Sequence, residues 1–207
     1  MEVAVNGIDG SGKSTFIQDA VGYFCRRGIY AAGMDIPYFR DTKGFGRLSP
    51  VFTWVGEWVE PRSRICFSIF VGVASLFYWV ARWRLRGAEV LFVEHHPWVD
   101  VVPYARVYGS LPATVARIYR FFWPKPDALI LLTLPVVEAH GRIRMRGRPL
   151  QWRQSLTRLH LLDELLKEAA GKIPARCIAE VMTPQQLFVE IWEPYIRSRA
   201  GHQVVRS

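Results

Sequence analysis

Apolar residues in this chain gather in short runs separated by longer stretches with helical spacing. Val3–Val5, Ala31–Met34, Val90–Val93, Leu129–Leu132 and Cys177–Val181 are largely aliphatic. They have the length and continuity of strands buried on both faces. The intervals carry apolar positions every three or four residues, around Thr15–Arg27, Ser63–Arg86, Pro112–Phe122, Val136–Met145, Trp152–Ala170 and Pro184–Arg197. That period predicts helices with one buried face. Strands alternating with helices predict an α/β fold, a parallel sheet flanked by helices on both faces. Right-handed crossovers then bring the C-terminal ends of the strands to one edge, where Asp35, Glu94 and Leu134 are expected. The stretch 35–61 is irregular, with several Gly and Pro, and predicts a small subdomain. The residues after Ala200 are expected to fray.

The first strand-to-helix junction carries the chemistry. Gly7-Ile-Asp9-Gly10-Ser11-Gly12-Lys13-Ser14-Thr15 satisfies every fixed position of a phosphate-binding loop. A chance Gly/Ser turn is the alternative, but a strand run before the motif and a helical pattern after it argue against that. Such a loop curls its N–H groups inward at a helix N-terminus and makes an anion cradle. Gly7, Asp9, Gly10, Ser11, Gly12, Lys13, Ser14 and Thr15 are therefore the candidate nucleotide-binding residues, with Lys13 for the outer phosphates and the Ser14 hydroxyl for Mg²⁺. The cofactor pair this implies is ATP and Mg²⁺.

Composition narrows the partners. With 207 residues, half of them apolar, the chain fits one α/β domain with a sizeable core. Its formal charge of +9 is carried mostly by arginine, which suits nucleic acid, an anionic membrane or a phosphate-rich small ligand. The arginines are scattered except at Arg142, Arg144, Arg146 and Arg148. A concentrated phosphate pocket explains that pattern better than an extended nucleic-acid face, so the expected partner is a small nucleotide and not nucleic acid. Cys25, Cys66 and Cys177 are far apart and odd in number, fitting neither a disulfide framework nor a metal site. They suggest a reducing, cytoplasmic setting, and no signal peptide fits the start.

One segment tests that picture. Ile65–Ala81 carries no charge and is bracketed by arginines at 62, 64, 82, 84 and 86. It reads as a core helix, as a helix resting on a membrane surface, or as a short span. Ser68, Gly72 and Ser75 dilute it, and the core helix is favoured over membrane contact.

Phosphoryl transfer also needs a carboxylate near the ion and positive charge over the migrating group. Glu94, closing an apolar strand, can hold the ion's hydration shell or act as a base; alternatively it caps the next helix. His95 and His96 follow, and adjacent side chains point different ways, so one can face the site while the other packs. Gly141-Arg142-Ile143-Arg144-Met145-Arg146-Gly147-Arg148 reads as poor core and poor helix. It suits a flap over 141–150 that closes on phosphates, the alternative being a solvated basic loop.

These features together resemble the thymidylate kinase family of P-loop nucleoside monophosphate kinases. The loop is similar, Pro126–Leu132 with Arg142–Arg148 looks like the family's fourth strand and arginine lid, and Pro37–Arg40 through Leu48 is similar to its acceptor-phosphate stretch. The resemblance implies a P-loop three-layer sandwich with five parallel strands, and transfer of the γ-phosphate of ATP to a (deoxy)nucleoside monophosphate, nominally dTMP. It places Asp9, Asp35, Arg40, Phe70 and His95 around the acceptor. Lys13, Arg142, Arg146 and Glu94 become catalytic, Arg148 joins the nucleotide set, and Ser14 and Glu94 serve the metal. It also implies a possible homodimer. Because position 10 is glycine, the catalytic arginine is expected in the lid. The chain departs from the family at His95, where an arginine is expected, and at Phe70–Ala74, where the family's Phe-x-x-x-Arg lacks its arginine. Two other functions fit the same motif: a kinase of a nucleoside or other hydroxyl with Glu94 as base, and a nucleotide-binding scaffold without catalysis.

Overall fold

The computed structural model describes residues 1–35, 64–108, 113–147, 154–171, 176–179 and 183–197. Strands β1 (Glu2–Asn6), β2 (Ala31–Asp35), β3 (Val90–Glu94), β4 (Ala128–Leu131) and β5 (Arg176–Ala179) form one sheet in the order β2-β3-β1-β4-β5. All neighbours are parallel. The helices are α1 (Lys13–Cys25), α2 (Arg64–Arg84), α3 (Pro97–Tyr108), α4 (Ala113–Ile118), α5 (Val136–Met145), α6 (Leu156–Gly171) and α7 (Pro184–Leu187). A 3₁₀ turn, Tyr119–Phe122, follows α4, and α7 continues into a π turn over Phe188–Trp192.

Strand alternation divides the apolar residues between two faces. Val3, Val5, Phe92, Ala128 and Ile130 pack with Ile17, Ala20 and Phe24 of α1 and with Leu187, Ile191 and Trp192. Ala4, Leu91, Val93, Leu129 and Leu131 pack with α3, α5 and α6 and with Val71 and Tyr78 of α2. Phe24 anchors the first face, edge-on to Phe92 at 5.7 Å and to Trp192 at 5.8 Å between ring centroids. The parallel α/β fold with helices on both faces thus follows from the patterning as expected.

Register sets the site. Glu94 pairs with Val5 on one side and Asp35 on the other, while Asn6 pairs with Leu131. The strand ends therefore lie level beside the loop that leaves Asn6. Leu134 is not a strand end, because β4 stops at Leu131.

Two expectations change. Helix α3 was absent from the periodicity reading, since Pro97 and Pro103 both lie in it. Pro97 opens the helix, where its missing N–H costs nothing. Pro103 removes one internal hydrogen bond, and burial of Val99, Val101, Tyr104, Ala105 and Val107 offsets that loss. The arginine run, read as poor core and poor helix, is helical to Met145 with Ile143 buried, in keeping with the helical spacing over Val136–Met145. The terminal helix begins at Pro184 as expected, and Thr183 before it caps it: its hydroxyl accepts from the Gln186 N–H while the Gln186 side chain accepts from the Thr183 N–H, a reciprocal cap. The expected subdomain 35–61 and the residues after Ala200 lie almost wholly outside the described residues. So do Arg40 and Arg148, and the side chains of Asp35 and Phe70.

Candidate active site

The loop from Gly7 to Ser14 leaves the central strand and enters α1 through Gly12, which has φ 92°. Gly10 has φ 86°, and a Cβ there would lie 2.6 Å from the Ala139 carbonyl oxygen of α5. Both positions lie in left-handed backbone that other residues rarely adopt. At Gly10 the α5 backbone also fills the space a side chain would need. Helix α5 is thereby seated directly against the phosphate loop.

Lys13 is buried, and its ammonium donates to the carbonyls of Gly7 (3.0 Å) and Ile8 (2.9 Å). The cation is thus stored inside the curl of the loop, on the side where an anion's charge would be answered. The Ser11 hydroxyl is buried in the same loop with no partner among the described residues. A buried polar atom left unsatisfied is costly, and a phosphate oxygen would satisfy it.

The Ser14 hydroxyl donates to Oε1 of Glu94 at 3.1 Å. Residues eighty positions apart thus place a hydroxyl and a carboxylate together at the mouth of the loop. Both are hard oxygen donors, the set that suits Mg²⁺ held jointly with nucleotide phosphates. Among the described residues no cluster of three His, Cys, Asp or Glu side chains that could hold a metal ion is found. Glu94 does not cap α3. His96 stands before that helix, and its Nδ1 accepts from the Trp98 N–H at 3.2 Å.

The two histidines diverge. His96 is fully buried, with Nε2 2.7 Å from Oε1 of Glu2. Since its Nδ1 accepts, the ring proton sits on Nε2 and is donated to that carboxylate. Burial pushes the His96 pKa down to about 3, reinforced by the Arg82 charge and opposed by Asp100, so the ring is neutral. Tyr78 donates to the same Glu2 oxygen at 2.5 Å, Arg82 pairs with the other, and burial raises the Tyr78 phenol.

His95 remains on the loop side, in left-handed backbone with φ 55°. A non-glycine residue held there is strained, and such strain concentrates at functional sites. Its Nδ1 lies 3.0 Å from Oδ2 of Asp100, and its Nε2 lies 4.0 Å from Oδ1 of Asp9. Asp100 also accepts from Asn6 Nδ2 at 2.6 Å, and Asp9 accepts from Gln154 Nε2 at 2.9 Å. Asn6, Asp100, His95, Asp9 and Gln154 therefore form a polar line across the strand ends. Asn6, Asp100 and Gln154 were missed in the sequence. Asn6 is the first polar residue after an apolar strand and Asp100 is the acid within α3, signals available in principle. Gln154 carries none.

Arg142 and Arg146 sit less centrally. Arg142 is one turn beyond Ala139, with its guanidinium 2.8 Å from Glu138 on the exposed side of α5. Arg146 caps the C-terminus of α5 and is exposed. Thr15 is exposed just inside α1.

A glycine-rich loop between the central strand and its helix, on a parallel five-stranded sheet with this order, defines the α/β fold of the chain. Among solved structures the chain is similar to a thymidylate kinase from Candida albicans, described as having broad substrate specificity and a novel structural element. The identity is 14%, covering 96% of this chain and 92% of that one, with a TM-score of 0.52. At that identity the likeness establishes the fold. No protein-family model matches the chain, and no curated protein matches it.

Proposed function

We propose that this chain is a phosphotransferase that moves the γ-phosphate of ATP to a (deoxy)nucleoside monophosphate, with dTMP the nominal acceptor. The observation that carries the reading is the Ser14–Glu94 contact beside a loop with a stored lysine and an unsatisfied Ser11 hydroxyl. Bound nucleotide would draw Lys13 from the Gly7 and Ile8 carbonyls to its outer phosphates, and the loop N–H groups would cradle them. Ser14 and Glu94 would hold Mg²⁺, which neutralises phosphate charge. Arg142 and Arg146, on the helix seated against the loop, would answer charge on the migrating group. The acceptor side would be formed by Asp9 and His95, with Asp35, Arg40 and Phe70 completing the pocket, and Arg148 would join the nucleotide side. The fold likeness to a thymidylate kinase supports the acceptor class.

A second reading has its own observation. Among the described residues, Asp9, Glu94, Asp100 and His95 lie together on the acceptor side. That set suits a hydroxyl acceptor, deprotonated by a carboxylate, better than a second phosphate. Purified protein with Mg·ATP, offered a panel of nucleoside monophosphates and nucleosides, distinguishes the two through ADP release and product mass. Diphosphate products are expected. Turnover restricted to nucleosides would transfer the assignment to the hydroxyl kinase, and ATP binding without turnover would favour the scaffold.

A further inference from the structure

Helix α2 has an apolar face on each side. Val71 and Tyr78 are in the core, and Arg82 turns inward to Glu2. Leu76, Trp79, Val80 and Trp83, spaced as one helical stripe, face outward, with Trp83 66% exposed. The Trp79 indole N–H donates to the Phe122 carbonyl at 3.0 Å. This bond lays the stripe beside the turn after α4, where Phe121 is 90% exposed and Ile118 and Phe122 are also open. The result is a patch built on two elements, of the kind that marks an interaction surface.

Its surroundings are basic. Arg84, Arg86, Arg117 and Lys125 are exposed, and α2 contains no acidic residue. The Arg86 guanidinium lies over the Trp83 ring at 5.7 Å. Beyond the end of α2, Arg82, Arg86 and Lys125 line a cleft of about 280 Å³. The carboxylates in that cleft are already engaged: Glu2 with Arg82, Tyr78 and His96, and Asp127 with the Glu2 N–H at 2.7 Å. The cleft lies at the N-terminal ends of the strands, the sheet edge opposite the phosphate loop.

The geometry points to a docking surface for an anionic phospholipid bilayer. Trp79, Trp83, Phe121 and Phe122 would enter the headgroup layer, while Arg84, Arg86 and Lys125 would meet lipid phosphates. Tryptophan beside arginine is the chemistry that suits that layer, with the ring at the acyl boundary and the cation among the headgroups. No helix among the described residues is long and apolar enough to cross a membrane, so contact is at the surface. A second copy of this chain fits less well. A two-fold pairing centred on the patch would bring together two copies of the positive charge of Arg84, Arg86, Arg117 and Lys125 at its rim.

Flotation of the full chain with phosphatidylcholine vesicles, with and without phosphatidylglycerol, tests the proposal at low and high salt. Binding is expected to the anionic vesicles alone and to weaken with salt. Trp83→Ser with Phe121→Ser, and separately Arg84→Glu with Arg86→Glu, should each lower partitioning by about tenfold or more. Thermal melting and Mg·ATP calorimetry should remain as in the parent protein, since these residues lie away from the loop. Absence of flotation, or flotation unchanged in both variants, would overturn the proposal. So would sedimentation showing a dimer that Trp83→Ser with Phe121→Ser dissociates without any lipid binding. Because nucleotide binding is measured on the same samples, failure here is separable from failure of the kinase reading.

Discussion

Gly10 and Gly12 both have positive φ, yet replacing each by alanine should have different consequences. The phosphate-loop motif fixes glycine at positions 7 and 12 and leaves position 10 variable, so the sequence ranks Gly12 as the sensitive one. The structure reverses that order for folding. At Gly12 a Cβ meets nothing within 4 Å, leaving only the cost of left-handed backbone, roughly 1–2 kcal/mol. At Gly10 the same backbone cost applies, and the Cβ would also lie 2.6 Å from the Ala139 carbonyl oxygen, 3.2 Å from its carbonyl carbon and 3.2 Å from its Cα. These are backbone atoms of α5, so the loop or the helix must move, and overpacking of that kind costs about 1–3 kcal/mol more. For a chain of this size each kcal/mol lowers Tm by roughly 2–4 °C. The Tm of Gly12→Ala should thus fall by about 2–8 °C and that of Gly10→Ala by about 4–20 °C. Thermal unfolding by circular dichroism without nucleotide reads both. A Gly10→Ala variant as stable as Gly12→Ala would refute the seating of α5 on the loop, and with it the placement of Arg142 and Arg146 near the phosphates.

Other outcomes follow from the same geometry. Lys13→Ala should weaken Mg·ATP binding by roughly 10–100-fold, the value of a charge-assisted contact; calorimetry giving parent affinity would remove the lysine from the site. Arg146→Ala should lower kcat far more than it changes nucleotide affinity, because its contact would tighten in the transition state, and unchanged turnover would remove it from catalysis. His96 gives stability a pH dependence. Its folded pKa of about 3 lies below its ordinary 6.5, so between those values the unfolded chain binds a proton that the native chain does not. Stability is then fully present above pH 6.5 and falls as pH drops toward 3, by about 1.4 kcal/mol per unit. Urea unfolding at several pH values checks this, and His96→Gln should flatten the slope.

Local sequence made much of the fold legible. Strand runs such as Val3–Val5 and Val90–Val93 are apolar on both faces because helices cover both, and the unbroken runs show it without any contact being known. The glycine-rich loop was legible for a similar reason, since its backbone curvature and its lysine lie within one short segment. Helix α3 was not, because propensity counts against Pro103 and only burial against the sheet outweighs it. The arginine run carried two signals, helical spacing to Met145 and alternating charge, and the helical one held. Ile143 supplies one buried position per turn, which is enough to hold the end of α5 once there is a core to receive it.

The sequence by itself therefore determined what depends on neighbours along the chain: the strand and helix alternation, the phosphate cradle and the strand-end carboxylate Glu94. Tertiary structure alone decided what depends on neighbours in space. It brought the Ser14 hydroxyl to Glu94 and aligned Asn6, Asp100, His95, Asp9 and Gln154 across the strand ends. It also buried His96 against Glu2 and left an apolar face of α2 open beside Phe121. The physical reason is that strand register and helix seating are set by burial summed over the whole sheet, so no single segment encodes which side chains meet at its edge.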